Sequence, residues 1–260
     1  MIPPHAIVVK APGTNCDVET ADALMRAGAS ASVHTTHQWL GDPELILGAR
    51  ILVFPGGFAH GDDIASARIL ASQLRTRLGD VLRRFVDDEG GYVLGICNGF
   101  QALVKSGLLP RDTGAPLRQR VSVVHNDSGQ YVCRWVRLRI ENSRCSWLPQ
   151  GEYWDMPVGH GEGKFVPGPE FDTDSDLVAF RYVDADGKDA VDAPANPNGS
   201  VAAIAGICDG TGRVLGLMPH PDRSYLGYHH PASLLAPKDE DEDETSGSQL
   251  FRALVDAAMH

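Results

Sequence analysis

Cys97 is the residue whose surroundings point most clearly to chemistry. It stands at the centre of the segment GICNG at 95–99, a glycine–x–nucleophile–x–glycine pattern between an apolar run and a helical pattern. In such a sharp strand-to-helix turn, the glycines leave room where two backbones approach closely. The turn would place the sulfur at a helix N-terminus, where free N–H groups and the helix dipole favour a thiolate. A buried, unreactive cysteine is the alternative, but the flanking glycines favour a nucleophile.

A nucleophilic cysteine needs a base to take its proton and a third group to orient that base. His220 is the best candidate among the ten histidines, because it follows a short apolar run that predicts a buried strand. Prolines on both sides of it restrict the backbone. Asp222 lies two residues further on, on the same side of an extended segment, and could accept a hydrogen bond from the imidazole. The sequence therefore predicts Cys97, His220 and Asp222 as a catalytic triad.

Glycine-rich segments follow two further regions of the chain. Gly56 and Gly57 come after the apolar run 51–54, and their size lets backbone N–H groups approach a ligand oxygen closely. A tight turn without a ligand explains this pair about equally well. Because the strand would end at the edge where Cys97 emerges, the loop could supply an oxyanion-hole donor. The segment 158–163, with three glycines around polar residues, indicates another close approach to a ligand.

The elements that would position these residues alternate between strands and helices. This rhythm predicts an open, mostly parallel α/β sheet with helices on both faces, in which ligands bind beyond the carboxyl ends of the strands. From residue 111 the pattern alternates more and contains more turn residues, which predicts an additional region of antiparallel strands. The predicted strands are 6–10, 31–34, 51–54, 92–96, 131–141, 177–183, 201–207 and 214–218, the predicted helices are 18–27, 67–78, 80–87, 98–106 and 249–259, and 42–49 is a short helix or loop.

Composition limits the classes of function. The net charge of −11 argues against nucleic acid as the main partner. No run approaches 18 apolar residues and the N-terminus lacks a signal-peptide pattern, so we expect neither a membrane span nor secretion. Five widely spaced cysteines argue against a zinc site and fit a reducing compartment, which predicts a cytoplasmic location. We expect one domain over 1–260, with an acidic solvated loop at about 237–248.

Three of these segments resemble the motifs of class I (triad) glutamine amidotransferases: GICNGFQ at 95–101, PGGF at 55–58 and MPHPDR at 218–223. More narrowly, the chain resembles the family of glutaminase subunits of phosphoribosylformylglycinamidine synthase. That likeness extends from about residue 6 to residue 225. It rests on five motifs in order, which are PGTNCD at 12–17, GGFAHGD at 56–62, CNGFQ at 97–101, HGEG at 160–163 and NPNGS at 196–200.

The resemblance implies a flavodoxin-like fold and a glutaminase that hydrolyses glutamine to glutamate and ammonia. Cys97 matches the family's nucleophile, His220 its base and Asp222 its third member. The backbone N–H groups of Gly57 and Asn98 match the oxyanion hole. The positions expected to face the substrate are Gly56, Gln101, His160 and Gly161.

The same resemblance implies partners for the chain. Ammonia would pass to a synthetase subunit, which uses ATP and magnesium to convert formylglycinamide ribonucleotide to phosphoribosylformylglycinamidine in purine biosynthesis. A small bridging subunit is also expected. The nucleotide and the metal belong to the synthetase, because this chain has no G-x-x-x-x-G-K-[ST] loop, so we expect no cofactor and no metal here.

The chain departs from the family pattern in two places that bear on function. Asp222 stands where the family usually has Glu, so the acid must lie closer to His220 or act through a water. Residues 63–68 are less aromatic and less basic than expected, which predicts different contacts with the partner. Two alternatives stay open: a cysteine-elbow hydrolase of another branch, and a catalytically impaired scaffold subunit that still binds the synthetase.

Overall fold

The computed structural model describes residues 2–234 and 244–260 of the chain. Most of the acidic run 239–244, predicted as a solvated loop, lies outside these residues. The strands are β1 (His5–Lys10), β2 (Ser30–Thr35), β3 (Ile51–Phe54), β4 (Tyr92–Ile96), β5 (Val121–His125), β6 (Val132–Ile140), β7 (Tyr153–His160), β8 (Glu162–Pro167), β9 (Val178–Val183), β10 (Ile204–Cys208) and β11 (Val214–Leu217).

Helices lie between the strands of the first half of the chain and close its C-terminal end. Their apolar residues recur at helical spacing, so most of the helices bury one face against the sheet or a neighbouring helix. The helix that follows Cys97 is buried almost all round. The α-helices are α1 (Asp17–Arg26), α2 (Thr36–Gly41), α3 (Arg68–Thr76), α4 (Gly79–Asp87), α5 (Asn98–Ser106) and α6 (Ser246–Ala258).

Nine of the described strands form one sheet in the order β2-β1-β3-β4-β11-β10-β9-β6-β7. The neighbours from β2 to β11 pair in parallel, and the remaining strands continue the sheet in antiparallel pairs. Strands β5 and β8 form a separate antiparallel pair. The predicted α/β sheet with an additional antiparallel region is confirmed.

The parallel part of the sheet brings three loops to one edge. Strands β3, β4 and β11 are neighbours, and they are buried almost throughout. Because parallel strands end at the same edge, the glycine loop after β3, the turn at Cys97 after β4 and the His220 loop after β11 meet there. A connected cluster of buried apolar side chains extends from β1 through both halves of the sheet to α6.

Several elements differ from the sequence-based expectation. Strands β5, β7 and β8 were not predicted, because polar, proline and glycine residues interrupt their alternation, and their pairing partners decide their state. The predicted strand 201–207 instead begins with the 3-10 turn Val201–Ala203, in which Ala202 has a φ of 52°. The predicted element 42–49 is the 3-10 turn Pro43–Gly48, preceded by helix α2, which was also missed.

Among the described residues, every helix is too short or too polar to cross a bilayer.

Candidate active site

Cys97 forms a sharp elbow between β4 and α5, as predicted. Its backbone has a φ of 50° and a ψ of −105°, a conformation that L-residues rarely adopt, and it is 5% exposed. The Cys97 N–H donates to Leu217 O on the neighbouring strand at 2.8 Å. A Cβ on Gly99 would lie 1.8 Å from Phe54 O, and one on Gly95 would lie 2.6 Å from the Leu103 side chain. Gly99 is therefore required by a contact with the backbone of β3, whereas a side chain at Gly95 would displace Leu103.

His220 and Asp222 form a buried pair at the end of β11. The imidazole Nδ1 lies 3.2 Å from one carboxylate oxygen of Asp222 and 3.4 Å from the other. The 3-10 turn Pro221–Arg223 bends the chain so that the acid lies directly against its own histidine. The shorter acid thus reaches the ring without an intervening water. The His220 N–H donates to Pro157 O at 2.8 Å and ties this loop to β7.

The two halves of the triad are not yet hydrogen-bonded to each other. Within the described residues, the Cys97 sulfur has one hydrogen-bond partner, Gly159 O at 3.7 Å. The buried Nε2 of His220 has none among them, so this nitrogen is available to the sulfur or to a substrate. Catalytic hydrogen bonds often shorten only when substrate binds.

The electrostatics of the base favour its protonated form. Burial alone would lower the pKa of His220, because it disfavours the charged form. The Asp222 carboxylate and the Cys97 sulfur more than offset this and raise the pKa of His220 well above its ordinary value. The protonated imidazole is therefore stabilised beside the nucleophile.

Gly57 and Asn98, the predicted oxyanion-hole residues, lie in segments that are joined to each other. Gly57 has a φ of +145° and forms an isolated antiparallel bridge with Thr14. Asn98 is the first residue of α5, where backbone N–H groups have no partner within the helix. Its side chain accepts from Ala59 N at 3.0 Å and donates to Asp62 Oδ1 at 3.1 Å. This side chain holds the glycine loop against the nucleophile helix.

Two of the residues predicted to contact substrate, Gln101 and His160, have side chains that are hydrogen-bonded to other residues of the chain. Gln101 is buried, and its amide donates to Glu162 O and accepts from the Asn98 side chain at 3.0 Å. The His160 ring contacts Asn126 Oδ1 at 3.1 Å and Asn198 Nδ2 at 3.4 Å. Burial and the nearby His220 lower the pKa of His160 to about 4, so its ring is neutral at neutral pH.

The other two predicted contacts are glycines whose backbone matters. A Cβ on Gly56 would lie 2.5 Å from the His220 ring, so this position must be glycine for the base to occupy its place. The carbonyl of Gly161 accepts from Asn126 N at 2.9 Å. Of the segment 158–163, it is Gly159 that contacts the Cys97 sulfur.

Sequence reasoning assigned no role to Cys16 or Arg223, which lie beside the base. Arg223 Nη2 donates to Cys16 Sγ at 3.0 Å. Both residues occur in the motifs at 12–17 and 218–223, so the motifs were the available signal. What the sequence could not indicate is that two segments so distant in the chain meet at the His220 ring.

Residues 3–256 match the family model described as the CobB/CobQ-like glutamine amidotransferase domain. The chain belongs to this family. It is 39% identical over 252 residues to phosphoribosylformylglycinamidine synthase subunit PurQ of Dehalococcoides mccartyi, covering 96% of this chain and 95% of that relative.

A second relative and two solved structures are also similar to this chain. The subunit of the same name from Thermomicrobium roseum is 40% identical over 225 residues, covering 84% of this chain and 86% of the relative. A chain in the structure of PurLQS from Thermotoga maritima is 28% identical, with a TM-score of 0.71 and coverage of 98% and 99%. A glutamine amidotransferase from Methylobacillus flagellatus, 14% identical with a TM-score of 0.52, shares the fold alone.

Membership confirms the resemblance to glutamine amidotransferases and makes this chain an enzyme of that kind. It removes the alternative of a cysteine-elbow hydrolase from another branch. An activity measurement separates this enzyme from the impaired-scaffold alternative, which rests on Asp222.

Proposed function

We propose that this amidotransferase is the glutaminase subunit of a phosphoribosylformylglycinamidine synthase, and that Cys97, His220 and Asp222 are its catalytic triad. The names of the relatives support the activity. The observation that carries the assignment of residues is the buried His220–Asp222 pair beside a cysteine in a strained elbow. Nucleophile, base and orienting acid are the parts that covalent hydrolysis of an amide needs.

The first half of the reaction releases ammonia. The Cys97 thiolate attacks the side-chain carbonyl carbon of glutamine and forms a tetrahedral intermediate. Its oxyanion accepts hydrogen bonds from the N–H groups of Gly57 and Asn98, and losing one such donor typically costs roughly 100- to 1,000-fold in kcat. His220 Nε2 gives its proton to the leaving nitrogen, the C–N bond breaks, and a thioester remains on Cys97.

The second half restores the enzyme. Neutral His220 takes a proton from water, and the resulting hydroxide attacks the thioester carbon. The C–S bond breaks, glutamate leaves, and Cys97 returns as a thiolate beside the protonated imidazole. Asp222 accepts from Nδ1–H throughout, which keeps Nε2 as the nitrogen that carries the proton in both steps.

We also propose roles for the four predicted substrate contacts. Gly56 and Gly161 shape the pocket through their backbone, since the former lies against the base and the latter follows the segment beside the sulfur. Gln101 and His160 act through their neighbours, because their side chains are hydrogen-bonded to Asn98, Glu162 and two asparagines.

The proposal includes the assembly in which the chain works. Ammonia passes to a synthetase subunit that binds ATP and magnesium, and a small third subunit bridges the two. The PurQ relatives and the PurLQS neighbour support a complex of this kind. Five free cysteines fit a reducing cytoplasm, and the continuous apolar core supports a single domain.

A glutaminase assay on Cys97→Ala, with and without the synthetase, ATP and magnesium, tests the proposal. We expect wild-type protein to release ammonia, most strongly in the complex, and the variant to lose at least about 10,000-fold in kcat. Cys133→Ala, which changes an exposed cysteine, is the matched control and should retain full activity. Wild-type protein that binds the synthetase but releases no ammonia under either condition would establish the scaffold alternative instead.

A further inference from the structure

Cys16 is a second buried cysteine beside the proposed base. It is fully buried, and its sulfur lies within 4.8 Å of a ring nitrogen of His220 and a carboxylate oxygen of Asp222. A Cβ placed on Gly56 would lie 3.2 Å from both Cys16 Sγ and His220 Nδ1. The sulfur and the Nδ1 side of the imidazole therefore border the same small space. This space stays free of a side chain because residue 56 is glycine.

The contact between His220 and Asp222 is long, so a neighbouring group could add to the restraint on the imidazole ring. Its two distances are 3.2 and 3.4 Å, whereas a charge-assisted N–H···O bond is typically about 2.7–2.9 Å. The carboxylate is one methylene shorter than glutamate, and at these distances it restrains the ring less than a short bond would. A second group on the same side of the imidazole would limit its rotation.

The Cys16 sulfur is itself held from two sides. Arg223 Nη2 donates to it at 3.0 Å, and the thiol contacts Asn15 Oδ1 at 3.3 Å. Burial raises the pKa of Cys16, so it stays a thiol at neutral pH. Its backbone N–H donates to Gly56 O at 3.3 Å. The backbone of Cys16 thus contacts the glycine loop after β3, and its side chain lies beside the base.

We propose that Cys16, held by Arg223, is a positioning residue for His220 that supplements the shorter acid at Asp222. This inference rests on the proposed triad. The thiol packs beside the Nδ1 edge of the ring and keeps Nε2 directed at the nucleophile. The same three ligand atoms could in principle hold a soft metal ion, but the Arg223 guanidinium already at the sulfur opposes a further cation.

The test uses the reactivity of Cys97, which does not depend on glutamine turnover. Wild-type protein, Cys16→Ala, Cys16→Ser and Cys145→Ala are alkylated with iodoacetamide from pH 5.5 to 9, about the range in which cysteine thiols ionise. Mass spectrometry of the Cys97 peptide gives the rate. Cys145→Ala is the matched control, because Cys145 is a fully buried thiol that contacts Gly212 O at 3.3 Å.

We expect Cys16→Ala to slow alkylation of Cys97 at pH 6.5 by about tenfold, and Cys16→Ser, which can still accept from Arg223, to recover most of this loss. In the complex, kcat should fall in parallel while KM changes by less than about twofold. The control should match wild type in alkylation, although it loses similar stability on heating.

Three results would overturn the inference. The first is an alkylation profile in Cys16→Ala that equals wild type. The second is an equal loss in Cys16→Ala and Cys145→Ala that follows their loss of stability. The third is one equivalent of Zn²⁺ that stays bound to wild type after dialysis and is lost in Cys16→Ala, which would make Cys16 a metal ligand. A Cys16-dependent alkylation profile in a protein without glutaminase activity would keep the inference and reject the proposed function.

Discussion

The nucleophile elbow and the loop that carries the base end two adjacent strands, yet they are held by different interactions. Around Cys97 the constraints lie in the backbone, because Gly99 lies against Phe54 and the Cys97 N–H bonds to the next strand. Around His220 they are contacts between polar side chains: the buried pair with Asp222, and a contact between buried Cys16 and exposed Arg223 that spans 207 positions in sequence.

This difference predicts two kinds of sensitivity. A backbone contact at van der Waals distance tolerates no added carbon, so substitution in the elbow should cost stability. A buried hydrogen-bonded pair can lose one charge and keep its shape, so substitution at the base should cost activity first.

Gly99→Ala should destabilise the protein by more than about 3 kcal/mol, because the new Cβ would meet Phe54 O at 1.8 Å. Alanine is normally better in a helix by about 1 kcal/mol, so a loss isolates the steric contact. Urea unfolding measures the effect. Gly48→Ala is the control, since nothing lies within 4 Å of its Cβ position. Equal stabilities of the two variants would mean that the elbow can relax.

Asp222→Asn should lower kcat by at least about 100-fold and leave the protein folded. A neutral amide no longer stabilises the imidazolium, and it does not select the ring tautomer that directs Nε2 to Cys97. Steady-state glutaminase kinetics in the complex measure the loss, and circular dichroism checks the fold. Asp222→Glu restores the family's residue and should stay within about tenfold of wild type. Unchanged activity in Asp222→Asn would remove this acid from the triad.

The same distinction explains what could be predicted from the sequence. The elbow is encoded within a few residues, so its strand, turn and helix were predicted with their observed bounds, 92–96 and 98–106. Strands β1, β3, β4 and β11 were predicted because continuous apolar runs are typical of strands buried on both faces. Strand β7 could not be, since Pro157 and Gly159 interrupt it and its state depends on pairing with β6.

The side-chain environment of the site was predicted less completely. His220 and Asp222 are two residues apart, so local spacing sufficed to pair them. Gln101 and His160 were predicted to face the substrate, but long-range hydrogen bonds engage their side chains. Nothing in local sequence indicates that Asn126 lies against His160, because that contact depends on how the antiparallel region folds back.

The buried His160, which lies near the base, should make the free energy of unfolding depend on pH. Its pKa is lowered from 6.5 to about 4, so the unfolded chain binds more protons between these values. Stability is therefore complete above about pH 6.5 and falls as pH decreases towards 4, by about 2 kcal/mol at pH 5. Urea unfolding at pH 7.5 and 5 should show a smaller loss for His160→Asn than for wild type. His37→Asn, which changes an exposed histidine, should lose as much stability between pH 7.5 and pH 5 as wild type does. An identical loss of stability in all three proteins would contradict the assignment of this pH dependence to His160.

The smallest predicted effect concerns α6, whose first turn packs against the loop that carries His220. Thr245 caps this helix by accepting from Ser248 N at 3.1 Å, and a Cβ on Gly247 would lie 2.3 Å from Pro221 O. Thr245→Ala should cost about 1 kcal/mol in urea unfolding, and Thr245→Ser should retain the cap. Because the base is positioned by polar side chains within its own cluster, kcat should change by less than about twofold. A loss of kcat comparable to that of Asp222→Asn would mean that helix packing, rather than the polar cluster, positions His220.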